Sequence, residues 1–580
     1  MSRRSSMTPA ARWTGHGDRM NATGVNGCQP VPQVSPSSSL SIHCSTSGYL
    51  PAMLHRRQFL SSIVATASGY PNLSLLAAQS PASAVDALPV SPWDSLAGAP
   101  GGPWRRLFLD GSIVEQQSGV TKEFHSAQKH SANPMIVADQ IWEGKSAIIG
   151  PYVYGTILRE GQTLRMWYQL LHEGNHIGYA ESQDGIRWVK PRLPYVKYRG
   201  SVETNLVVSA FSPRKPSDGL CHNPSVIPLS PSPDPMRRYA LYGFDPHAGG
   251  PRVAYSPNGL AWHYPALAEI PPLFPSSDVL HFFYDPYQAA FFSTWKTRNR
   301  RGRAVGIAKS TDGVHWQKTL DGPIFGADDQ DPDDTQIYGM PVFAYQGMYL
   351  GLPWIYRARY YRYGDYSVDK MLEAQQDSPR TMEPQLAWSW DLIQWTRPPH
   401  RSALIPRGDT GQWDAGMTVT ARAPVEMDDQ LYFYYGGTDR PHDEKQLRSG
   451  IGLATLRLDG FCSMRSQPTE EGWLITRREP MLEPSVTING RTFRGGSITA
   501  EILDRRFQVI PGFSRTECIP FQGDATRHRL QWRTSTFGQH RPSPDARIRF
   551  WLQHAELFSY LPTVLDPKEP DLARMQPTGP

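Results

Sequence analysis

Three aspartates, Asp278, Asp334 and Asp414, stand at or a few residues before an alternating apolar segment, in DVLHFFYD, DDTQIYGMPVF and DAGMTVT. Carboxyl groups that converge from distant positions do acid–base or nucleophilic work when one is protonated and its neighbour is ionised. Around the same segments lie His222-Asn223, Gln336, Tyr338, Trp413 and Trp142. Amides and imidazoles pair with hydroxyl groups, and flat rings offer an apolar face with a polar tip. Glu143 and Glu383 are the glutamates nearest such segments. Either becomes a general acid only where burial or a like charge raises its pKa. Each candidate has a plain structural alternative: a strand-end cap for the aspartates and His222, packing between sheets for the aromatics. Asp234 and Asp285 are each followed by Pro, which is turn chemistry.

The elements that must position these groups repeat. GYAESQDGIRW ends at Trp188, RVAYSPNGLAW at Trp262, GIAKSTDGVHW at Trp316 and QLAWSWDLIQW at Trp395, with a degenerate fifth copy, GIGLATLRLDGF, ending at Phe461. Asp-Gly and Asn-Gly supply the positive φ of a tight hairpin. Asn258 stands where the other copies have Asp184, Asp312 and Asp391, so turn geometry rather than ionisation is what the position demands. A strand–turn–strand segment precedes each copy, as in YGMPVFAYQGMYLGLPW from Tyr338. Five units of two hairpins predict a five-bladed β-propeller over residues 120–465, and the uneven spacing of the copies predicts a decorated one. The first strand of each blade lines the central funnel, so groups at its start converge. Alternating strands beyond GWLITRREPMLEP predict a small C-terminal β-sandwich over 466–562, and 563–580 reads as a tail.

Composition agrees with an all-β chain: 11% of residues are aromatic, and 53 Pro and 49 Gly punctuate it. The net charge of +5 is scattered, with no basic stripe to neutralise a phosphate backbone, which argues against nucleic acid as partner. No apolar run is long enough for a membrane span. Residues 1–52 are Ser-, Arg-, Thr- and Pro-rich and read as a disordered or mis-annotated leader. Arg56-Arg57 ahead of Phe59-Leu60, a mildly apolar stretch and Ala82-Ser83-Ala84 over 53–84 resemble a twin-arginine export signal, which implies a periplasmic or secreted product; 85–119 reads as a linker with a first strand.

The five cysteines include no CxxC pair; the bridges open to the sequence are Cys221–Cys462 and Cys462–Cys518. No metal site is predicted. DDQDPDDT, from Asp328, has the oxygen density of a calcium loop but lacks the Gly and bidentate Glu of an EF-hand, so a structural calcium is the only cofactor the sequence allows.

HNPSVI, YGMPVF, the SxDGxxW corners and LYFYYGG, behind an export signal, resemble the exported bacterial proteins grouped with glycoside hydrolase families 32 and 43. The resemblance covers residues 100–560 and implies a five-bladed propeller, a C-terminal sandwich and a carbohydrate partner. It also implies hydrolysis by two carboxyl groups across the funnel, one assisting the leaving group and one acting as nucleophile or base. Asp278, Asp334 and Asp414 are the acidic set it points to. The WMNDPNG and RDP strings of family 32 are absent; Asn133-Pro134 in SANPMI is nearest to the first. A rival resemblance, to sialidase Asp-boxes, has one residue more between Asp and Gly and implies six blades. A glycan-binding propeller that lacks the acid and a protein-interaction propeller are the other readings. Sugar, linkage and oligomeric state are not written in the sequence.

Overall fold

The structure is a computed structural model that describes residues 104–562, apart from 145–149, 172–173, 211–221, 230–231, 360–377, 443, 445–446, 482–484 and 534–542. The segments expected to form the leader, the export signal and the tail, and Cys221, lie outside the described residues.

Four separate blade-sized antiparallel sheets follow one another along the chain. The first holds Tyr152–Glu160, Thr163–Leu170, Asn175–Ser182 and Leu206–Ala210. The second holds His222–Pro228, Tyr239–Asp245 and Gly250–Ser256, and the third Leu280–Asp285, Ala290–Asn299, Gly302–Ser310 and Gln317–Lys318. The fourth holds Val342–Tyr345, Met348–Gly351, Ala387–Ser389 and Trp395–Thr396. The expectation of five blades is corrected here, because the fifth unit is not a sheet of its own. Its strands Met417–Thr420, Gln430–Thr438 and Ser449–Arg457 lie in an eight-stranded sheet that runs on, through Met382 opposite Met417, into Thr381–Pro384, Trp354–Arg357 and Thr335–Ile337. Pro341 and Pro353 fall between the two halves of the fourth unit. Proline has no N–H for a ladder, so the fourth unit's ladder breaks there. Its far half pairs onward with the fifth unit instead.

The segment Gln128–Lys129 supplies the edge strand beside Ser449–Arg457, so the N-terminal end of the propeller-like ring closes its last unit. Strands expected in the C-terminal sandwich, above all the long pair Thr487–Leu503 and Ser543–Leu561, belong to one nine-stranded network. That network also takes in Arg106–Leu107, Val114–Ser118 and Val120–Phe124. Ile488, Ile498, Phe550 and Leu552 are fully buried in its core. Both Cys462 and Cys518 are free buried thiols, so neither candidate bridge forms. Burial pushes the Cys462 thiol up to about 12.

The repeated corners are caps and latches. Asp312 Oδ1 accepts the backbone N–H of Val314 and His315 at 2.9 and 2.8 Å, and Gly313 N donates to Ser310 Oγ at 2.9 Å. Asp184, Asn258 and Asp391 repeat the pattern. The glycine carbonyls then reach the neighbouring unit: Trp167 Nε1 donates to Gly259 O at 2.7 Å, Tyr242 Oη to Gly313 O at 3.2 Å and Tyr434 Oη to Gly185 O at 2.8 Å. A Cβ on Gly313 would lie 2.4 Å from Tyr242 Oη, and its φ is +77°. Glycine therefore meets two demands there, the left-handed turn and the close approach.

Candidate functional site

The first strands of the units are tied edge to edge by side chains. An N–H at such an edge has no ladder partner and must be satisfied otherwise. Val226 N donates to Thr156 Oγ1 at 2.9 Å, Asn223 N to Gln169 Oε1 at 2.8 Å, Leu280 N to Asn223 Oδ1 at 2.7 Å and Phe282 N to Ser225 Oγ at 3.1 Å. Asn223 manages this at φ +61°, a left-handed conformation that asparagine tolerates. Arg422 N donates to Gly155 O at 3.1 Å, which brings the fifth unit against the first.

Along this axis aromatic rings gather from several units. Tyr154 stacks on Trp354 with centroids 5.3 Å apart, His222 stands edge-on to Tyr154 at 5.7 Å, and His281 edge-on to Trp354 at 4.8 Å. Trp354 Nε1 donates to Thr420 Oγ1 at 3.1 Å. Tyr338 Oη and His442 Nε2 are 2.9 Å apart, and Tyr356 packs against both rings.

A charged rim adjoins these rings. Lys296 Nζ lies 2.6 Å from Asp278 Oδ1 and 4.5 Å from the Tyr338 ring centre. The Asp278 side chain is 44% exposed. Burial pushes its carboxyl up, but the charge and hydrogen bond of Lys296, with help from Ser277 and His222, hold it at about 2. Burial lowers the His222 imidazole against the pull of Asp278. Burial also lowers Lys296; Asp278 opposes this, while Arg303 and Arg298 add to it. Arg303 lies over Tyr356 and Tyr338, 5.0 and 5.5 Å from their ring centres, and donates to Gln336 Oε1 at 3.1 Å. Gln336 Nε2 donates in turn to Ala358 O at 2.7 Å.

The structure thus groups Asp278, His222, Gln336 and Tyr338 around Lys296 and Arg303, with Asn223 at the strand junction beside them. Asp334 pairs with Arg357, at 2.6 Å from Nη2. Asp414 is 1% exposed and accepts from Lys129 Nζ at 2.5 Å and Tyr435 Oη at 2.9 Å. Its contacts therefore lie on the seam where Gln128–Lys129 closes the ring. Trp413 stacks on Tyr435 in the same seam, with centroids 5.6 Å apart. Trp142 donates to Asn205 Oδ1 at 2.7 Å and packs edge-on to Tyr198. Glu143 accepts from Tyr168 Oη and Lys190 Nζ, each at 2.6 Å, and burial raises its carboxyl despite Lys190. Glu383 accepts from Arg407 N at 2.9 Å.

Sequence reasoning passed over Lys296, Arg303, Tyr154, Trp354, Tyr356, His281, His442 and Arg422. One signal was present: WKTRNRRGR is a dense basic run in a chain whose charges are otherwise scattered. The acidic run from Asp328 is committed to arginines. Asp331 takes both Nη atoms of Arg397 at 2.6 and 2.8 Å, Asp328 pairs with Arg401 at 2.6 Å, and Asp329 pairs with Arg301. Among the described residues no group of three His, Cys, Asp or Glu could hold a metal ion, and no helix is long and apolar enough to cross a membrane.

No protein-family model matches the chain, and no curated protein matches it. Among solved structures it is similar to a glycosyl hydrolase from Bacteroides ovatus, with 14% identity over 58% of this chain and 94% of that one, at a TM-score of 0.40. A thermostable family-43 glycoside hydrolase gives 12% identity over 55% and 93%, at 0.36. The GH32 β-fructofuranosidase of Bombyx mori gives 11% over 70% and 90%, at 0.33.

Proposed function

We propose that this chain is an exported carbohydrate-active protein that takes an oligo- or polysaccharide at the axial rim and acts on it as a glycoside hydrolase. The observation that carries the reading is the half-exposed Asp278, ion-paired to Lys296, whose ammonium lies over the Tyr338 ring. An ionised carboxylate beside an aromatic face meets two needs of a sugar site: charge for a developing oxocarbenium ion and an apolar platform for the ring's C–H face. In this reading Asp278 is the ionised carboxylate, His222 holds a hydroxyl group, Tyr338 offers its ring face, and Gln336, buried with its amide engaged by Arg303 and Ala358, positions Arg303. Export follows from Arg56-Arg57 and the Ala82-Ser83-Ala84 cleavage site.

A second reading, a glycan-binding propeller without a general acid, is favoured by one specific observation. Asp334 and Asp414 are each ion-paired, with Arg357 and Lys129. A general acid must offer its proton to the leaving group, and the oxygens of these two carboxylates are turned to cations of the fold instead. A glycan array followed by a reducing-sugar assay separates the two. Hydrolysis that Asp278→Asn abolishes supports the enzyme; binding without hydrolysis in both proteins supports the lectin-like reading; no glycan bound in any form sinks both.

A further inference from the structure

Two guanidinium groups beside the axis meet no carboxylate among the described residues. Arg303, on the basic hairpin formed by Ala290–Asn299 and Gly302–Ser310, touches an amide oxygen and two ring faces. Arg422 is held against the first unit by its backbone, and its Nε is buried without a partner. Near it, His281 is 4% exposed and its Nε2 also has no partner. Burial alone pulls the Arg422 guanidinium down to about 10, and burial together with Arg422 pulls His281 down to about 3. At the rim, Lys296 has Arg303 and Arg298 as like-charged neighbours and Asp278 as its opposing charge. Among the described residues, Arg303 and Arg422 are thus cations beside the axis with no carboxylate partner.

Keeping a cation in a partly buried place without a counter-ion costs free energy, and such groups concentrate where a ligand completes them. A neutral sugar supplies hydroxyls, which do little for a guanidinium. A carboxylate or sulfate matches its planar fork with two parallel charge-assisted hydrogen bonds. Building on the carbohydrate reading above, we propose that the saccharide is anionic, and that Arg303 at the rim and Arg422 with His281 along the axis receive its acidic groups. Asp278 then stands among cations that keep it ionised while the acidic sugar is held alongside.

The test is calorimetric titration of the purified protein with three matched oligosaccharide sets of equal length: neutral, uronic-acid-containing and sulfated. The uronate and sulfate arms tell the two sources of negative charge apart. At least one acidic set should bind about tenfold tighter than the neutral set or better, as expected for a charged hydrogen bond gained at a guanidinium. That preference should shrink as salt rises. Arg303→Gln, at a partly exposed position, should remove most of the preference, read as the ratio of acidic to neutral affinity on the same variant. Arg422→Gln should lower acidic binding further, and Arg303→Gln keeps the test valid where the buried substitution does not fold. Neutral glycans binding as tightly as acidic ones, or Arg303→Gln leaving the preference intact, would overturn the inference and leave the carbohydrate reading standing. Binding of no glycan at all would remove the reading on which the inference rests.

Discussion

The hairpin corners and the axial rim both place a carboxylate beside a basic side chain, yet the two carboxylates have different work. At the corner, Asp312 spends its oxygens on backbone N–H groups and on His315 Nδ1 at 2.7 Å. An asparagine does the same job at Asn258. At the rim, Asp278 faces solvent beside Lys296, and among the described residues its one capping contact is with the neighbouring Ser277. A carboxylate consumed by its own turn is structural; one left open beside aromatic rings and cations is available to a ligand. The lesson is that repetition in the sequence marks the scaffold, and the groups left open to a ligand sit where repeats meet and differ.

This contrast can be broken in four ways. The largest effect belongs to the corner: Gly313→Val forces a β-branched residue to φ +77° with its Cβ 2.4 Å from Tyr242 Oη. Such a change should cost about 3 kcal/mol or more in denaturant unfolding.

Next comes acid. The buried His281 titrates near 3 in the folded chain and near 6.5 once unfolded. Its contribution is complete above pH 6.5 and drains as pH falls towards 3, because the unfolded chain binds a proton that the folded chain refuses. By pH 4.5 the loss should be about 3 kcal/mol, and His281→Phe should flatten that limb by a similar amount. The corner behaves differently: burial pushes the Asp312 carboxyl up, but hydrogen bonds from His315, Val314 and Ser310 hold it well below the usual carboxylate range. Its contribution is present above the ordinary aspartate pKa and is lost only below it, so acid should loosen the axis before the corners.

A smaller effect is expected from Asp312→Ala, about 1 kcal/mol as for a lost cap. Asp312→Asn should stay within about 0.5 kcal/mol of the parent, since the amide oxygen still accepts from the backbone. Thermal melts of the pair check both values. A large loss in the asparagine variant would mean that the corner needs charge after all.

The corners were legible because a cap is local: Ser, Asp or Asn, Gly and Trp lie within seven residues, and their spacing alone sets the hydrogen bonds. The all-β class was legible for the same reason. The break in the fourth unit was not, because Pro341 and Pro353 look like ordinary loop residues until the strands beside them find partners in the fifth unit. Asp278 and Asp414 take the same place in their repeats. Asp414 nevertheless turns to the closing seam, where it meets Tyr435 and, from 285 residues away in sequence, Lys129. The axis was hardest to foresee, since Lys296, Arg303, His281 and Arg422 lie on four different strands or loops and meet only through topology.

The most direct measurement sets Asp278→Asn beside Asp312→Asn on one glycan panel, with turnover and affinity recorded for folded protein of each. The account predicts that Asp312→Asn matches the parent in both, while Asp278→Asn keeps its fold and loses turnover by a hundredfold or more, about 2.7 kcal/mol in the barrier. Equal activity in all three proteins, or an equal loss in both variants, would contradict it.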